Sequence, residues 1–474
     1  MLMRWQSLVY WSLFSLAFLA LVPITLCPTV VLAQDDGDDG DDDDNGSSPI
    51  GAMAGVAVDA QGVLRKQVFF DPGGRLIRQR IAAAKSTLNP EVTAFSKLRK
   101  ISLNRLEQAL RSRQGVPTNE MRYLAGLQRV KYVFYYPETN DIVLAGPAEG
   151  WLTDLSGRVV GITSRRPTIE LQDLVVALRA FPPQKKATRL IGCSIDPTQE
   201  GLAAMQRFLR SVGIQATPGQ TKYIVDGIQA SLGKQVVSVD GIPANTHFAQ
   251  VLVEADYRMK LIGIGLEKPA VRLVNYVDRV NPSRVSRNAM QRWYFMPDYN
   301  CVRVSEDGLA MELVGDGVKL VGENEAVSAN GVRRTASRGS RASQAFVKSF
   351  TKKYSALAER SPVYAQLRNL IDLAVAAAYV QQEDFYGQAG WKMEFFGNEK
   401  SFSVQTYSTP THVATAATAR WKGNRLMTPV GGGVSIEPGR ALATDNLLSD
   451  KDGKVTKLHK EIKIKLADGQ WWWD

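Results

Sequence analysis

Hydrophobic and polar positions change period several times along this chain, and each change marks an expected element. From Trp293 onward two alternating runs, Cys301-Val302-Arg303-Val304 and Val318-Lys319-Leu320-Val321, stand beside the turns Asp307-Gly308 and Asp316-Gly317. That is the pattern of an antiparallel strand meander. The period then lengthens. Phe346, Phe350, Tyr354 and Leu357, followed by Tyr364, Leu367, Ile371, Ala374 and Ala378, recur at steps of three and four, which gives two helices with one buried face each. Ser361-Pro362 supplies a cap and a first-turn proline between them, so the helices are expected to lie antiparallel.

Upstream, the same reading predicts helices over 75–84, 102–113 and 118–128, a strand over 130–136 and its return over 142–145. Helices over 169–181, 197–212 and 221–232 then alternate with strands over 189–195 and 234–239. A helix over 248–260 follows, with Glu254, Asp256, Arg258 and Lys260 expected on its solvated face. Past Gly387 the chain turns to short strands rich in Gly and Thr. The whole is a mixed α+β fold: a basic helical N-terminal part, an α/β middle, and a strand meander leading into a long antiparallel helix pair.

The first residues change the picture of location. Arg4, the apolar run from Trp5 to Leu26 and the small-residue site Val31-Leu32-Ala33 have the layout of an export signal, with an uncleaved anchor as the alternative. The expected organisation is a signal peptide at 1–33, a disordered Asp/Gly-rich tail at 34–59 and a mixed α/β domain at 60–290 with a break near 183–188. The meander and helical hairpin occupy 291–386, and a β-like region 387–474. After cleavage the chain is not expected to span a membrane. Its expected place is the periplasm, the cell envelope or the outside. Cys193 and Cys301 then form one bridge or remain two buried thiols, and sequence leaves both open.

Charge is distributed unevenly. The net charge is +11, yet residues 35–44 hold eight Asp; without those and Arg4 the remaining chain stands at about +18. The aspartate stretch lacks the spacing of a calcium loop and reads as a solvated tail, with calcium binding as the alternative. Between Ala60 and Tyr135 stand 15 Lys or Arg against four acidic residues. Within this segment Arg75, Arg78, Arg80, Arg99, Lys100 and Arg105 are the candidate binding residues, for an anionic envelope polymer, an anionic lipid surface or a protein partner. An exported protein does not meet chromosomal DNA, which disfavours nucleic acid. A solvated basic face countered by the Asp tail is the alternative.

Candidate chemistry is sparse. Trp151, on the loop Gly146-Pro147-Ala148-Glu149-Gly150-Trp151, is a further binding candidate as a platform for a sugar ring, with Glu149 and Asp154 as an acid–base pair; a loop anchored by a packed Trp is the plainer reading. Ser194 lies where a nucleophile elbow would, but Asp196 stands where that turn needs glycine. His247, His412 and His459 are scattered, and no spacing matches a zinc site, so neither metal nor cofactor is expected. Trp471-Trp472-Trp473 suit either a membrane interface, a partner's pocket or the protein's own body.

Three phrases carry a resemblance. Tyr132-Val133-Phe134-Tyr135-Tyr136-Pro137-Glu138 with 141–151, Val253-Glu254-Ala255-Asp256-Tyr257-Arg258-Met259-Lys260, and Leu367-Arg368-Asn369-Leu370-Ile371-Asp372-Leu373 resemble a secreted domain-of-unknown-function family of planctomycetal bacteria over about residues 60 to 385. The resemblance implies an exported protein and lends no activity or functional residue. The leading expectation is therefore a non-enzymatic exported binding protein with a basic surface. A secreted hydrolase using Glu149/Asp154 or Ser194 is the alternative.

Overall fold

In a computed structural model, which describes residues 52–212, 217–280, 289–327, 333–335, 340–418 and 430–474, the chain is built around the helix Pro362–Gln382. This helix is apolar almost all round, and such a helix has to be enclosed on every side. Every residue from Val363 to Val380 is buried. Three of its polar side chains are matched from neighbouring loops. Asp372 accepts from Arg129 at 2.8 Å, Asn369 donates to the Gln128 carbonyl at 2.8 Å, and Gln366 accepts from Arg158 at 2.8 Å. Interactions of this kind hold a buried polar group without an unpaired charge. The expected export segment and the expected tail as far as residue 51 lie outside the described residues; the end of that tail, expected to be disordered, is the strand Ala52–Val58, paired with Val63–Phe70.

The helix before it is in two pieces, Arg341–Lys352 and Tyr354–Arg360, broken at Lys353 (φ −107°). The aromatic stripe read from the sequence crosses that break intact. Phe350, Tyr354 and Tyr364 pack edge-on or tilted around Phe295 at centroid distances of 5.5 to 6.3 Å. Such pairs add about 0.5–1.5 kcal/mol each beyond burial.

Two sheets flank this helical core. The larger has nine strands, in the order Ala52–Val58, Val63–Phe70, His412–Val413, Gln235–Asp240, Ile191–Asp196, Val430–Ile436, Ala289–Pro297, Val318–Val327, Arg333–Thr335. The smaller has seven: Leu448–Ser449, Val302–Val304, Ala310–Leu313, Tyr132–Tyr136, Asp141–Ala148, Ser96–Ser102, Trp472–Trp473. Along Tyr132–Tyr136 the side chains alternate as a strand requires: Val133 and Tyr135 join the main core, Phe134 and Tyr136 a second cluster with Val455. The expected meander is thus divided. Ala289–Pro297 and Val318–Val327 pair in the larger sheet, while Val302–Val304 and Ala310–Leu313 form a hairpin in the smaller one. The described residues all belong to one compact unit. The segments 60–290, 291–386 and 387–474 do not close on themselves, since the nine-stranded sheet takes strands from all three.

The strand Val430–Ile436 lies between two others, and this explains its glycines. A Cβ on Gly432, whose φ is +148°, would stand 1.9 Å from the Trp293 carbonyl oxygen; one on Gly433 would stand 2.2 Å from that of Cys193. Only glycine lets the three backbones approach.

Two other expectations need correction. Helix over 118–128 is realised only at Asn119–Arg122, because Leu124 and Ala125 take positive φ. The charged side chains of His247–Gly263 do not face solvent. This helix lies between the larger sheet and Pro362–Gln382, so Glu254, Asp256, Arg258 and Lys260 are all buried. They are paired internally: Lys260 with Asp256 at 2.8 Å, and Arg258 with Glu254 at 3.3 Å and Glu267 at 2.7 Å. An i, i+4 charge pattern describes a solvated face and an internally paired one equally well. Of the two states left open for Cys193 and Cys301, the structure has both buried and unbridged. Among the described residues no helix is long and apolar enough to cross a membrane.

Candidate functional site

The basic segment separates into inward and outward residues. Arg99 is wholly buried. Its guanidinium makes paired 2.9 Å bonds to the Asp474 carboxylate and donates to the carbonyls of Val92, Ala125, Glu91 and Ala94. Trp472 stacks over it at 4.7 Å. Lys100 is buried beside it, and Trp473 lies 6.0 Å from its ammonium; burial pushes that amine down while Asp474 pulls it back up. Arg105 holds the fully buried Asp141 through bonds of 2.7 and 3.1 Å. Arg99, Lys100 and Arg105 thus fasten the smaller sheet. The indoles of 471–473 dock on the protein's own body, with Trp472–Trp473 paired to Ile101 and Lys100 as a strand.

Arg75, Arg78 and Arg80 remain outside, on the helix Arg75–Thr87, which contains no acidic residue and buries none of its side chains fully. Ile77, Ile81, Ala84 and Leu88, spaced four, three and four, rest on Leu152, Val160 and Ile162 of a small hairpin. At 3.6 residues per turn this places Arg75, Arg78 and Lys85 within roughly a quarter of the circumference, along one flank of the hairpin-facing side. Arg80 is on the other flank and donates to the carbonyls of Thr153 and Asp154, both at 2.7 Å. Asp71, just before the helix, offsets part of this charge: the Ile77 and Leu76 amides donate to its oxygens and lower its pKa against the effect of burial, and Arg78 lowers it further. The strand before the helix ends in exposed apolar groups, Val68 at 47% and Phe70 at 65% exposure; Leu76, 46% exposed, lies across the helix from Lys85.

Trp151 is buried against Val92 and Val159, with Tyr123 tilted on it at 5.6 Å. Glu149 is buried and surrounded by donors: Gln128 at 2.8 Å, the Ser164 hydroxyl at 2.5 Å and amide at 2.9 Å, and the Thr163 amide at 3.2 Å. Burial alone would raise its pKa, but those bonds hold it below the usual value. Asp154 binds the amides of Ser156 and Arg158 in the hairpin turn. Both carboxylates are therefore occupied in shaping loops. Ser194 bonds Ser238 across two paired strands at 2.8 Å.

The sequence reading passed over a second feature, a cleft at the N-terminus of the helix Leu171–Ala180. Its cavity of about 350 Å³ is bounded by Arg122, Tyr123, Glu170, Gln172, Phe402 and Val404, among others. Against its wall, His247 Nδ1 lies 2.8 Å from Asp173 Oδ2, and Nε2 lies 3.8 Å from Glu170 Oε1. Burial pulls the imidazole pKa down, but the two carboxylates outweigh it and lift it to about 9, against a smaller opposing effect of Arg158. Burial raises Glu170, an effect that Asp173 reinforces and His247 opposes. Gln172 Nε2 bridges Glu170 Oε2 at 2.5 Å and the Tyr407 hydroxyl at 3.0 Å. His247 begins its helix directly after the cap Thr246. The members come from sequence positions 122–123, 170–173, 247 and 402–407, and no local spacing announces such a cluster. Among the described residues no group of His, Cys, Asp and Glu is arranged to hold a metal ion.

A family model described as protein of unknown function (DUF1598) matches residues 193–276. The stretch runs from Cys193 in the larger sheet through the helix His247–Gly263 to Tyr276, so it includes His247 and the buried charge pairs but neither Glu170 nor the helix Arg75–Thr87. It supports similarity to a domain-of-unknown-function family over that part of the chain. No curated protein and no solved structure matches.

Proposed function

We propose that this is an exported, non-enzymatic binding protein that docks on an anionic lipid surface through the helix Arg75–Thr87 and the preceding strand end. One observation carries the reading: Arg75, Arg78 and Lys85 share one side of a helix that has no acidic residue of its own, and the strand before it ends in the exposed Val68 and Phe70. Cations beside an anionic bilayer contribute about 1 kcal/mol each, and an inserted aromatic side chain adds on the order of 1 kcal/mol or more. The pairing of exposed aromatic and basic groups favours a lipid surface over a polysaccharide, which offers charge but no apolar layer.

Vesicle co-sedimentation tests this, with phosphatidylglycerol-containing and purely phosphatidylcholine vesicles at low ionic strength. The triple variant Arg75→Gln/Arg78→Gln/Lys85→Gln should lose roughly a hundredfold in partitioning to the anionic vesicles, and Phe70→Ser several-fold. Undiminished partitioning of the triple variant overturns the reading. So does a protein that ignores vesicles but binds dextran sulfate independently of Phe70.

A further inference from the structure

The cleft beside His247 is independent of the lipid-facing helix and has an unusual balance of hydrogen-bonding groups. Its inner wall is rich in acceptors. The carboxylate of Glu170 lines it, and the Oε1 of Gln172 is buried with no donor, as is Oδ1 of Asp173 behind. The orientation of the Gln172 amide is set by its surroundings: Nε2 faces the Glu170 oxygen at 2.5 Å and the Tyr407 oxygen at 3.0 Å, and turning it over would place two acceptors in contact. The Gln172 Oε1 and Asp173 Oδ1 atoms are closed to the cavity, so the acceptor open to a ligand is Glu170, whose Oε1 has only the 3.8 Å contact with His247.

The charges point the same way. Asp173 and His247 form a tight pair at 2.8 Å and cancel to a first approximation, while Glu170 keeps the longer 3.8 Å contact. The cluster as a whole therefore carries one surplus negative charge on the group that lines the cavity. The N-terminal dipole of Leu171–Ala180 offsets part of that charge. Arg122 is exposed at the rim, and Leu171, Phe402 and Val404 give the cavity an apolar side. A volume of about 350 Å³ falls at the small end of ligand sites.

We propose that this cleft is a binding site for a small primary ammonium compound, whose –NH₃⁺ group bonds the Glu170 carboxylate while its alkyl part lies against Phe402 and Val404.

Isothermal titration of the purified chain near pH 7.5 with three matched probes tests this: hexylammonium, hexyltrimethylammonium and hexanoate. The first is expected to bind. The second has the same charge but no N–H donors, the third the opposite charge, and both should bind roughly tenfold or more weakly. Glu170→Gln should cost hexylammonium roughly tenfold as well. Because that variant also alters the His247 cluster, Ser403→Trp on the exposed cavity wall provides a second block and should abolish binding without touching the cluster. The proposal is overturned if hexylammonium gives no saturable binding, if hexanoate or the trimethyl probe binds equally well, or if both variants bind like the parent chain. None of these outcomes bears on vesicle binding.

Discussion

Replacing Asp474 by alanine should destabilise the protein far out of proportion to its partly exposed position. Its carboxylate makes two 2.9 Å bonds to Arg99, which has no exposed surface, so the substitution leaves a buried guanidinium without its anion. Breaking a fully buried pair in this way costs about 3–5 kcal/mol. Asp474 itself is 43% exposed, so solvent screens part of the interaction and about 2 kcal/mol is the better expectation. Arg99→Met should cost more than Asp474→Ala, since the carbonyls of Val92, Ala125, Glu91 and Ala94 would lose their shared donor. Guanidinium unfolding of the two variants measures both. The pH dependence adds a check. Arg99's bonds hold the Asp474 pKa below its ordinary 3.8, so the stabilisation is present above that value and lost as pH falls through the lowered one. The difference between parent and Asp474→Ala should shrink accordingly in strong acid. Equal unfolding midpoints at neutral pH, or a milder effect for Arg99→Met than for Asp474→Ala, would refute the account of Arg99 as the organiser of this corner.

Gly433→Ala should cost about 4 kcal/mol, since its Cβ would meet the Cys193 carbonyl oxygen at 2.2 Å inside a sheet that cannot part; Gly439→Ala, with nothing within 4 Å, should leave the unfolding midpoint unchanged. Stability should fall between about pH 6.5 and 9. The folded-state pKa of His247 is raised to about 9, so its contribution is complete below the ordinary 6.5 and disappears as the imidazole loses its proton; Glu170, also raised, acts in the same direction at lower pH. The His247 shift corresponds to at most about 3 kcal/mol, and His247→Gln should flatten the profile in that window. A parent profile as flat as the variant's from pH 6.5 to 9.5 would contradict it.

Local pattern carried much of this fold. The stripe through Phe346, Phe350, Tyr354 and Tyr364, the helix after Ser361-Pro362 and the strand Tyr132–Tyr136 were all legible, because period and capping are properties of neighbouring residues. The sheet to which a strand belongs is not such a property, which is why the meander reads as one unit and is divided between two sheets. Arg99 and Arg75 look alike in the sequence. Only the return of Asp474 and Trp472 to the neighbourhood of Arg99 makes one internal and leaves the other outside. The same holds for His247, whose two carboxylate partners lie more than seventy residues upstream.

The position of Val430–Ile436 has a consequence for how the chain reaches its native state. Ile191–Asp196 and Ala289–Pro297 are made well over a hundred residues before the strand that joins them. Until it inserts, each presents an unpaired backbone edge, with Cys193, Trp293 and Phe295 among the side chains awaiting cover. Closing loops of that length is slow, and half-sheets with open edges associate with one another. The central sheet is thus completed only after the last of its strands arrives, and the intermediate that precedes it is the form with the most open sheet edge.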